Sequence, residues 1–304
     1  MELLSGVLPV APTVFAEDES LDLDGQRRVV DLLIDGEVDA ICVLANFSEQ
    51  FSLDDAERMA VMSAVLDQAG GRVPIAVTTS HFSARIAAER CRTAEAAGAS
   101  MVMLMPPFFG TTVRVGEEGV LEYFKRVADG LSIDVMIQDA PMSATPLPVP
   151  LLARIAHEVP QVRYAKIEVP QAAEKLRLLS RAAGEDLPGL FDGEEAVTLI
   201  PDLDAGAIGT MSSVIAAAEL GRVVRDYAAG RREAAVSAWE ELLPLVHFEN
   251  RQVGLRASKI LLQEAGVIAS DRARAPLPDV SPETRTQLVD LARRKSPFLL
   301  SWAR

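Results

Sequence analysis

Lys166, one of five lysines in the chain, stands in Val162-Arg163-Tyr164-Ala165-Lys166-Ile167-Glu168, an apolar and β-branched run that reads as a buried strand. An ammonium taken out of water costs about several kcal/mol unless it is paired or neutralised, so a lysine in such a run needs a reason. One reason is chemical: desolvation lowers the pKa, and the neutral amine attacks a carbonyl to form a Schiff base. Bringing a reference pKa of about 10.4 to about 7 shifts the protonation balance by roughly 4 kcal/mol. The alternative is a strand-end lysine whose head reaches solvent or pairs with Glu168. Strand alternation puts Lys166 and Glu168 on one face. Close contact would hold the lysine protonated and oppose attack, so Glu168 is expected to point up toward substrate or loop.

The elements that must position this lysine follow a regular rhythm. Short apolar runs predict strands at Val7 to Thr13, Ala40 to Leu44, Pro74 to Thr79, Met101 to Met105, Val135 to Ile137, Val162 to Ile167, Gly189 to Phe191 and Gly206 to Met211. Between them, apolar residues at i, i+3, i+4 and i+7 predict helices at Leu23 to Ile34, Leu53 to Gln68, Arg85 to Ala97, Glu118 to Leu131, Pro150 to Glu158, Ala172 to Ala183 and Glu195 to Pro201. Ser52 with Asp55 resembles a capping box for the second of these. Repeated βα units predict an α/β (β/α)8 TIM barrel over residues 1–213, whose chemistry lies at the C-terminal ends of the strands. Lys166 falls at such an end. A doubly wound sheet would need a glycine-rich phosphate turn, and no G-x-G-x-x-G is present. From 214 to 304 the pattern is helical, at Val214 to Ala229, Arg231 to Leu245, Gln252 to Ala265 and Pro282 to Arg294. The link from Val267 to Pro282, with Pro276 and Pro278, reads as an extended connection.

Composition excludes several classes. The 304 residues are 49% hydrophobic and 24% charged, enough for a full core, without an apolar run of bilayer-spanning length. A net charge of −14 opposes binding to nucleic acid or acidic membranes. Cys42 and Cys91 lie in apolar patterns without metal-like spacing and read as small buried hydrophobes. The opening Met1-Glu2-Leu3-Leu4-Ser5-Gly6 lacks the pattern of a signal peptide, so a cytoplasmic location is expected.

Gly6-Val7-Leu8-Pro9-Val10-Ala11-Pro12-Thr13-Val14-Phe15, Glu37-Val38-Asp39-Ala40-Ile41-Cys42-Val43-Leu44 and Tyr164-Ala165-Lys166-Ile167-Glu168 resemble the first, second and Schiff-base strands of a known family. It is the group of class I aldolases and dehydratases around dihydrodipicolinate synthase and N-acetylneuraminate lyase. The resemblance runs over nearly the whole chain and implies that Lys166 is the nucleophile. In the family, Gly-Thr-Thr-Gly-Glu after strand two holds the substrate carboxylate; here the segment reads Ala45-Asn46-Phe47-Ser48-Glu49. Asn46, Phe47 and Ser48 are therefore candidates for the carboxylate site, through backbone N–H groups and the Ser48 hydroxyl, against an ordinary strand-to-helix turn. Thr79 matches a family site position, and His81 beside it could protonate leaving water or be a plain surface histidine. Asp192-Gly193-Glu194 resembles the family's Gly-Asp-Asp turn, giving Gly193 and Glu194 as substrate-binding candidates, although the acids also suit helix capping. Ile208, on the eighth strand, completes that set.

The departures from the family point to the type of reaction. Its aldolases and synthases carry a proton-relaying tyrosine at the end of strand five, where this chain has Gln138-Asp139-Ala140-Pro141. A second tyrosine is replaced in Pro106-Pro107-Phe108-Phe109, and Tyr123, Tyr164 and Tyr227 fall on neither position. A neutral amide is no general base near pH 7, which disfavours retro-aldol cleavage, where a hydroxyl must be deprotonated, and suits elimination of that hydroxyl as water, where a proton must be delivered. Gln138 is then expected to orient the imine or a hydroxyl, with a purely structural amide as the alternative. The resemblance implies a dehydratase acting on a small 2-keto-3-deoxy sugar acid, without metal or cofactor because the iminium is the electron sink. An aldolase and a non-catalytic 2-oxo-acid-binding protein are the competing readings. Family habit implies a homodimer or homotetramer.

Overall fold

The computed structural model describes residues 3–108 and 114–302. Its strands are β1 Gly6–Val7, β2 Ile41–Val43, β3 Ile75–Thr78, β4 Met101–Leu104, β5 Asp134–Asp139, β6 Val162–Ile167, β7 Gly189–Asp192 and β8 Gly209–Thr210. They form an 8-stranded sheet in the order β1-β8-β7-β6-β5-β4-β3-β2. Helices α1 Leu23–Asp35, α2 Asp55–Ala69, α3 Ala84–Ala96, α4 Glu117–Ala128, α5 Val149–Glu158, α6 Ala172–Ala183, α7 Leu199–Asp204 and α8 Ala217–Ala228 each follow one strand. Three more, α9 Arg232–Phe248, α10 Arg256–Glu264 and α11 Pro282–Lys295, extend the chain. This is the (β/α)8 barrel with C-terminal helices that the sequence predicts. None of the described helices is long and apolar enough to cross a membrane.

The chain divides into two compact units. The first comprises Ala76–Glu194 and Thr198–Met211 with the residues up to Ser5. Its parallel ladders set Gln138 opposite Lys166, Lys166 opposite Phe191 and Phe191 opposite Gly209. β6 and α6 keep the bounds read from the sequence, but α7 does not. The helix expected at Glu195 to Pro201 begins instead at Leu199, because Glu195 (φ 49°) and Ala196 (φ 68°) take left-handed backbone. Pro201 then sits in the first turn, where a missing N–H costs nothing. β8 is shorter than expected because Gly206, at φ 104°, turns the chain out of α7.

The second unit comprises Gly6–Ile75, Glu195–Val197 and Ser212–Arg304. Pro9 and Pro12 interrupt the strand expected over Val7 to Thr13, since neither has an N–H for the ladder. The segment still joins β2, with Cys42 N donating to Pro9 O (2.9 Å) and Ala11 N to Cys42 O (2.8 Å). Val10 N donates to Ser212 O (2.7 Å), just beyond β8. The capping box of α2 is Asp54 with Glu57, not Ser52 with Asp55: Asp54 Oδ1 accepts from Glu57 N (2.8 Å) and Glu57 Oε2 from Asp54 N (3.2 Å). Ser52 belongs to the preceding 3₁₀ turn, and Leu53 is extended.

α9 runs into a π turn at Glu249–Val253, which buries Glu249. Ser213 Oγ donates to Glu249 Oε2 (2.8 Å), while Oε1 has no donor among the described residues. Burial pushes the carboxyl up to about 8 from an ordinary 4.5. A raised acid favours the folded state below its unfolded pKa and loses that contribution as pH climbs toward the folded value. Stability due to Glu249 should therefore fall between about pH 4.5 and 8, by about 1 kcal/mol per pH unit. Glu249→Gln should flatten that slope. Urea denaturation at pH 5 and pH 8 checks this: the variant should gain on the wild type as pH rises, and parallel profiles would refute it.

Candidate active site

Lys166 ends β6 one residue before its last position and is 2% exposed, with nearly all of its surface removed from solvent. Its Nζ contacts Glu168 Oε1, and Gln138 Nε2 on the neighbouring strand donates to that same oxygen at 3.0 Å. The expectation that Glu168 points away is thus corrected. Two neighbours turn the carboxylate back onto the amine: the Gln138 amide pulls its oxygen, and Gly193 leaves space for its stem. A Cβ on Gly193 would meet the Glu168 Cγ, the Ile167 carbonyl (2.8 Å) and the Lys166 Cγ (2.9 Å). Gly193 N donates to that carbonyl at 3.0 Å, so the approach is fixed by backbone. The amine has a carboxylate in contact that can receive its proton, and Gln138 Oε1 is sealed from solvent without a donor among the described residues. Such a buried acceptor costs about 1–3 kcal/mol and is poised to accept from a hydroxyl or N–H brought to it.

Because Ile167 O is backbone, Gly193→Ala cannot be relieved by a side-chain rotation alone. Overpacking of this kind costs about 1–3 kcal/mol, and the displaced atoms are those of Lys166 and Glu168. The expected result is a drop in kcat of at least about tenfold with a smaller change in Tm, since misplacing reacting groups by a fraction of an ångström is expensive. Unchanged kcat would show that the close approach has no part in turnover.

The other candidates of this unit are held by bonds of their own. Glu194 N donates to Asp192 Oδ1 at 3.3 Å, so the Asp192-Gly193-Glu194 segment is a side-chain-braced turn. Ile208 N donates to Leu190 O (2.8 Å), one residue before the level of Lys166. The Thr79 hydroxyl lies 3.1 Å from Cys91 Sγ on α3, and burial pushes that thiol up to about 12. His81 Nδ1 accepts from Ser83 N (2.9 Å), which leaves the proton of the neutral ring on Nε2. Its carbonyl accepts from Tyr123 (2.8 Å), a tyrosine buried on α4. Asp139, next to Gln138, pairs with Lys175. Phe108 is described, whereas Phe109 lies outside the described residues.

In the second unit, Asn46–Ser48 form a 3₁₀ turn directly after β2. Ser48 Oγ donates to Ala11 O (2.7 Å) and Thr13 Oγ1 donates to Ser48 O (2.7 Å), so the hydroxyl proton of Ser48 is committed to the first strand segment. The N–H groups of Ser48, Glu49 and Gln50 bond within the turn, and the Asn46 amide oxygen accepts from Gln50 Nε2 (2.6 Å). Glu49 then takes left-handed backbone (φ 56°) and enters the core. There it meets a second buried lysine that sequence reasoning missed. Lys259 of α10 is 0% exposed, contacts Glu49, donates to Arg272 O (2.8 Å) and lies 4.3 Å from the Phe15 ring centre. Burial draws its ammonium down to about 8 against the opposing pull of Glu49. The apolar neighbours Ile260, Leu261 and Leu262 were the available signal. Its donors are spent on protein acceptors, whereas Lys166 stands at a strand end beside the open acceptor of Gln138; burial alone does not single out a nucleophile.

Eight βα units carrying a buried lysine at the C-terminal end of β6 place the chain among the (β/α)8 barrels with a lysine-centred site. The profile of the dihydrodipicolinate synthetase family matches residues 3–295, and the chain belongs to that family. It is 47% identical to the L-2-keto-3-deoxyarabonate dehydratase of Azospirillum brasilense, over 98% of this chain and 96% of that protein. It is 29% identical to 4-hydroxy-tetrahydrodipicolinate synthase 2 of Streptomyces coelicolor, over 94% of each. The crystal structure of dihydrodipicolinate synthase from Thermotoga maritima superimposes with a TM-score of 0.89, covering 97% of this chain and 99% of that one; at 22% identity it speaks for the fold alone.

Proposed function

We propose that the protein is a Schiff-base dehydratase that converts L-2-keto-3-deoxyarabonate to α-ketoglutaric semialdehyde (2,5-dioxopentanoate) and water. The observation that carries this reading is the Lys166–Glu168–Gln138 cluster, in which an amide occupies the place of the family's strand-five tyrosine and a carboxylate contacts the amine. Similarity to the Azospirillum brasilense dehydratase supports the choice of substrate. Glu168 takes a proton from Lys166, and the freed amine adds to the C2 carbonyl. The proton returns to the carbinolamine oxygen, water leaves, and the iminium acidifies C3. Glu168 then removes a C3 proton, and the enamine expels the C4 hydroxyl, which departs as water with that proton. The conjugated iminium loses a C5 proton and regains one at C3. The resulting enol moves its hydroxyl proton to C4 and becomes the aldehyde, and water hydrolyses the iminium to release product and amine.

Gln138 Oε1 accepts from the substrate hydroxyl or the nitrogen proton. The turn at Asn46, Phe47 and Ser48 is proposed for the carboxylate, and His81, Gly193, Glu194, Thr79 and Ile208 for the remainder of the substrate. No metal or cofactor enters the scheme. Residues 1–213 are proposed as the catalytic barrel and 214–304 as its helical region, in a cytoplasmic homodimer or homotetramer. Incubation with L-2-keto-3-deoxyarabonate and mass analysis tests the activity. A product lighter by one water, reactive as an aldehyde, is expected; pyruvate with glycolaldehyde would instead make the protein an aldolase.

A further inference from the structure

Behind the lysine cluster lies a second group of buried acids that the reaction above does not use. Asp192, the last residue of β7, and Asp202, in α7, are both 0% exposed. Asp192 accepts from the Thr210 hydroxyl and from Glu194 N. Asp202 Oδ2 accepts from Thr198 Oγ1 at 2.7 Å, while its Oδ1 is sealed from solvent and meets no N–H or hydroxyl donor among the described residues. The group within hydrogen-bonding reach of Asp202 besides Thr198 is the Asp192 carboxylate. Two ionised carboxylates cannot share a dry site cheaply, whereas one carboxylic acid donating to one carboxylate satisfies both.

The place of the pair gives it a consequence. Asp192 leads straight into Gly193, whose missing Cβ is where Glu168 and Lys166 pack, and into Glu194, whose N–H Asp192 holds. We propose that Asp202 is a positioning residue for the lysine chemistry: it carries a proton that it donates to Asp192, and so holds the Asp192-Gly193-Glu194 turn against Lys166 and Glu168. The inference rests on the Schiff-base reading of Lys166. Burial, and next the charge of Asp192, push the Asp202 carboxyl up to about 8, so the shared proton is present at neutral pH and is lost above it. The other titratable groups facing the pair are Glu194, which raises Asp202 further, and Lys166 with Glu168 across Gly193. α6, which packs on α7, buries Ala172, Leu176, Leu179 and Ala183, none of which titrates.

The test traps the iminium formed by pyruvate with sodium borohydride and follows the reduced adduct by intact mass from pH 6 to pH 9. Asp202→Asn keeps a neutral donor and should trap at the wild-type rate at pH 7. By pH 9, one unit above the Asp202 value, the variant should lead the wild type by about tenfold, because the wild type has then lost most of the proton. Asp202→Ala should trap at least about tenfold more slowly than the wild type at pH 6 to 7, with the gap closing toward pH 9 as the wild type loses its proton, and, in turnover of the keto-deoxy acid at pH 7, lower kcat while leaving KM within about twofold. If Asp202→Ala fails to fold by circular dichroism, the pH profile of Asp202→Asn decides alone. A variant Asp202→Asn that follows the wild-type profile at all pH values, or an Asp202→Ala that traps like wild type at pH 7, overturns the proposal. A wild-type chain that traps no pyruvate at any pH removes the lysine reading and this inference with it.

Discussion

Replacing Lys166 by alanine is expected to lower kcat by on the order of 10⁴-fold or more and to abolish borohydride trapping of a 2-oxo acid. Without the amine there is no iminium, and a C3 proton beside a plain ketone is too weakly acidic for Glu168 to remove at a useful rate. Nothing else among the described residues replaces it: Lys175 is spent on Asp139 and the Leu147 carbonyl, and Lys259 on Glu49 and the Arg272 carbonyl. Lys166→Arg should be equally inactive, because a guanidinium does not deprotonate near neutral pH and cannot become the nucleophile. Glu168→Gln separates the two functions of the pair. It removes the receiver of the lysine proton and of the C3 proton, so both trapping and turnover should slow, with turnover losing more. Rapid-quench trapping alongside steady-state kinetics checks this. Full turnover by Lys166→Ala would mean that the reaction runs without a covalent intermediate.

The sequence made this lysine legible because burial and strand patterning act locally. A six-residue run with β-branched and aromatic neighbours suffices to place Lys166 on a strand and near its end, and β6 and α6 formed within their expected bounds. The misreadings came from properties that are not local. Pro9 and Pro12 sit in an apolar segment that is buried as expected but, lacking two N–H groups, joins its neighbours through isolated bonds around Val10 in place of a continuous strand. The left-handed backbone of Glu195 and Ala196 is held by tertiary bonds, from Asn250 to the Glu195 carboxylate and from Trp239 to the Ala196 carbonyl, which no helical periodicity reports. Strand alternation gives the face of Glu168, but its contact with Lys166 depends on Gln138, 30 positions earlier, and on Gly193 in the turn after the next strand. The Asp192 and Asp202 pair needs the fold before it exists at all.

Lys259→Met is expected to destabilise the protein by about 3–5 kcal/mol, the largest stability effect foreseen among single side-chain changes. The substitution removes the cation in contact with the buried Glu49 carboxylate, which keeps the backbone N–H of Arg274 at 2.9 Å and the field of the Arg274 guanidinium. A buried pair is costly to assemble and costlier to break, because the surviving charge keeps its desolvation penalty and loses its attraction. The Lys259→Met, Glu49→Gln double variant should therefore recover a large part of the loss, a non-additivity that urea denaturation of the two single variants and the double variant measures. The pair also has a bearing on the site. Glu49 follows the Asn46–Ser48 turn and is the point at which that turn is tied to α10. If the turn receives the substrate carboxylate as proposed, the double variant should fold yet show a raised KM with kcat little altered, since it loosens binding and leaves the lysine chemistry in place. Equal KM in the wild type and the double variant would confine the Glu49–Lys259 pair to stability and remove the argument that it fixes the carboxylate turn.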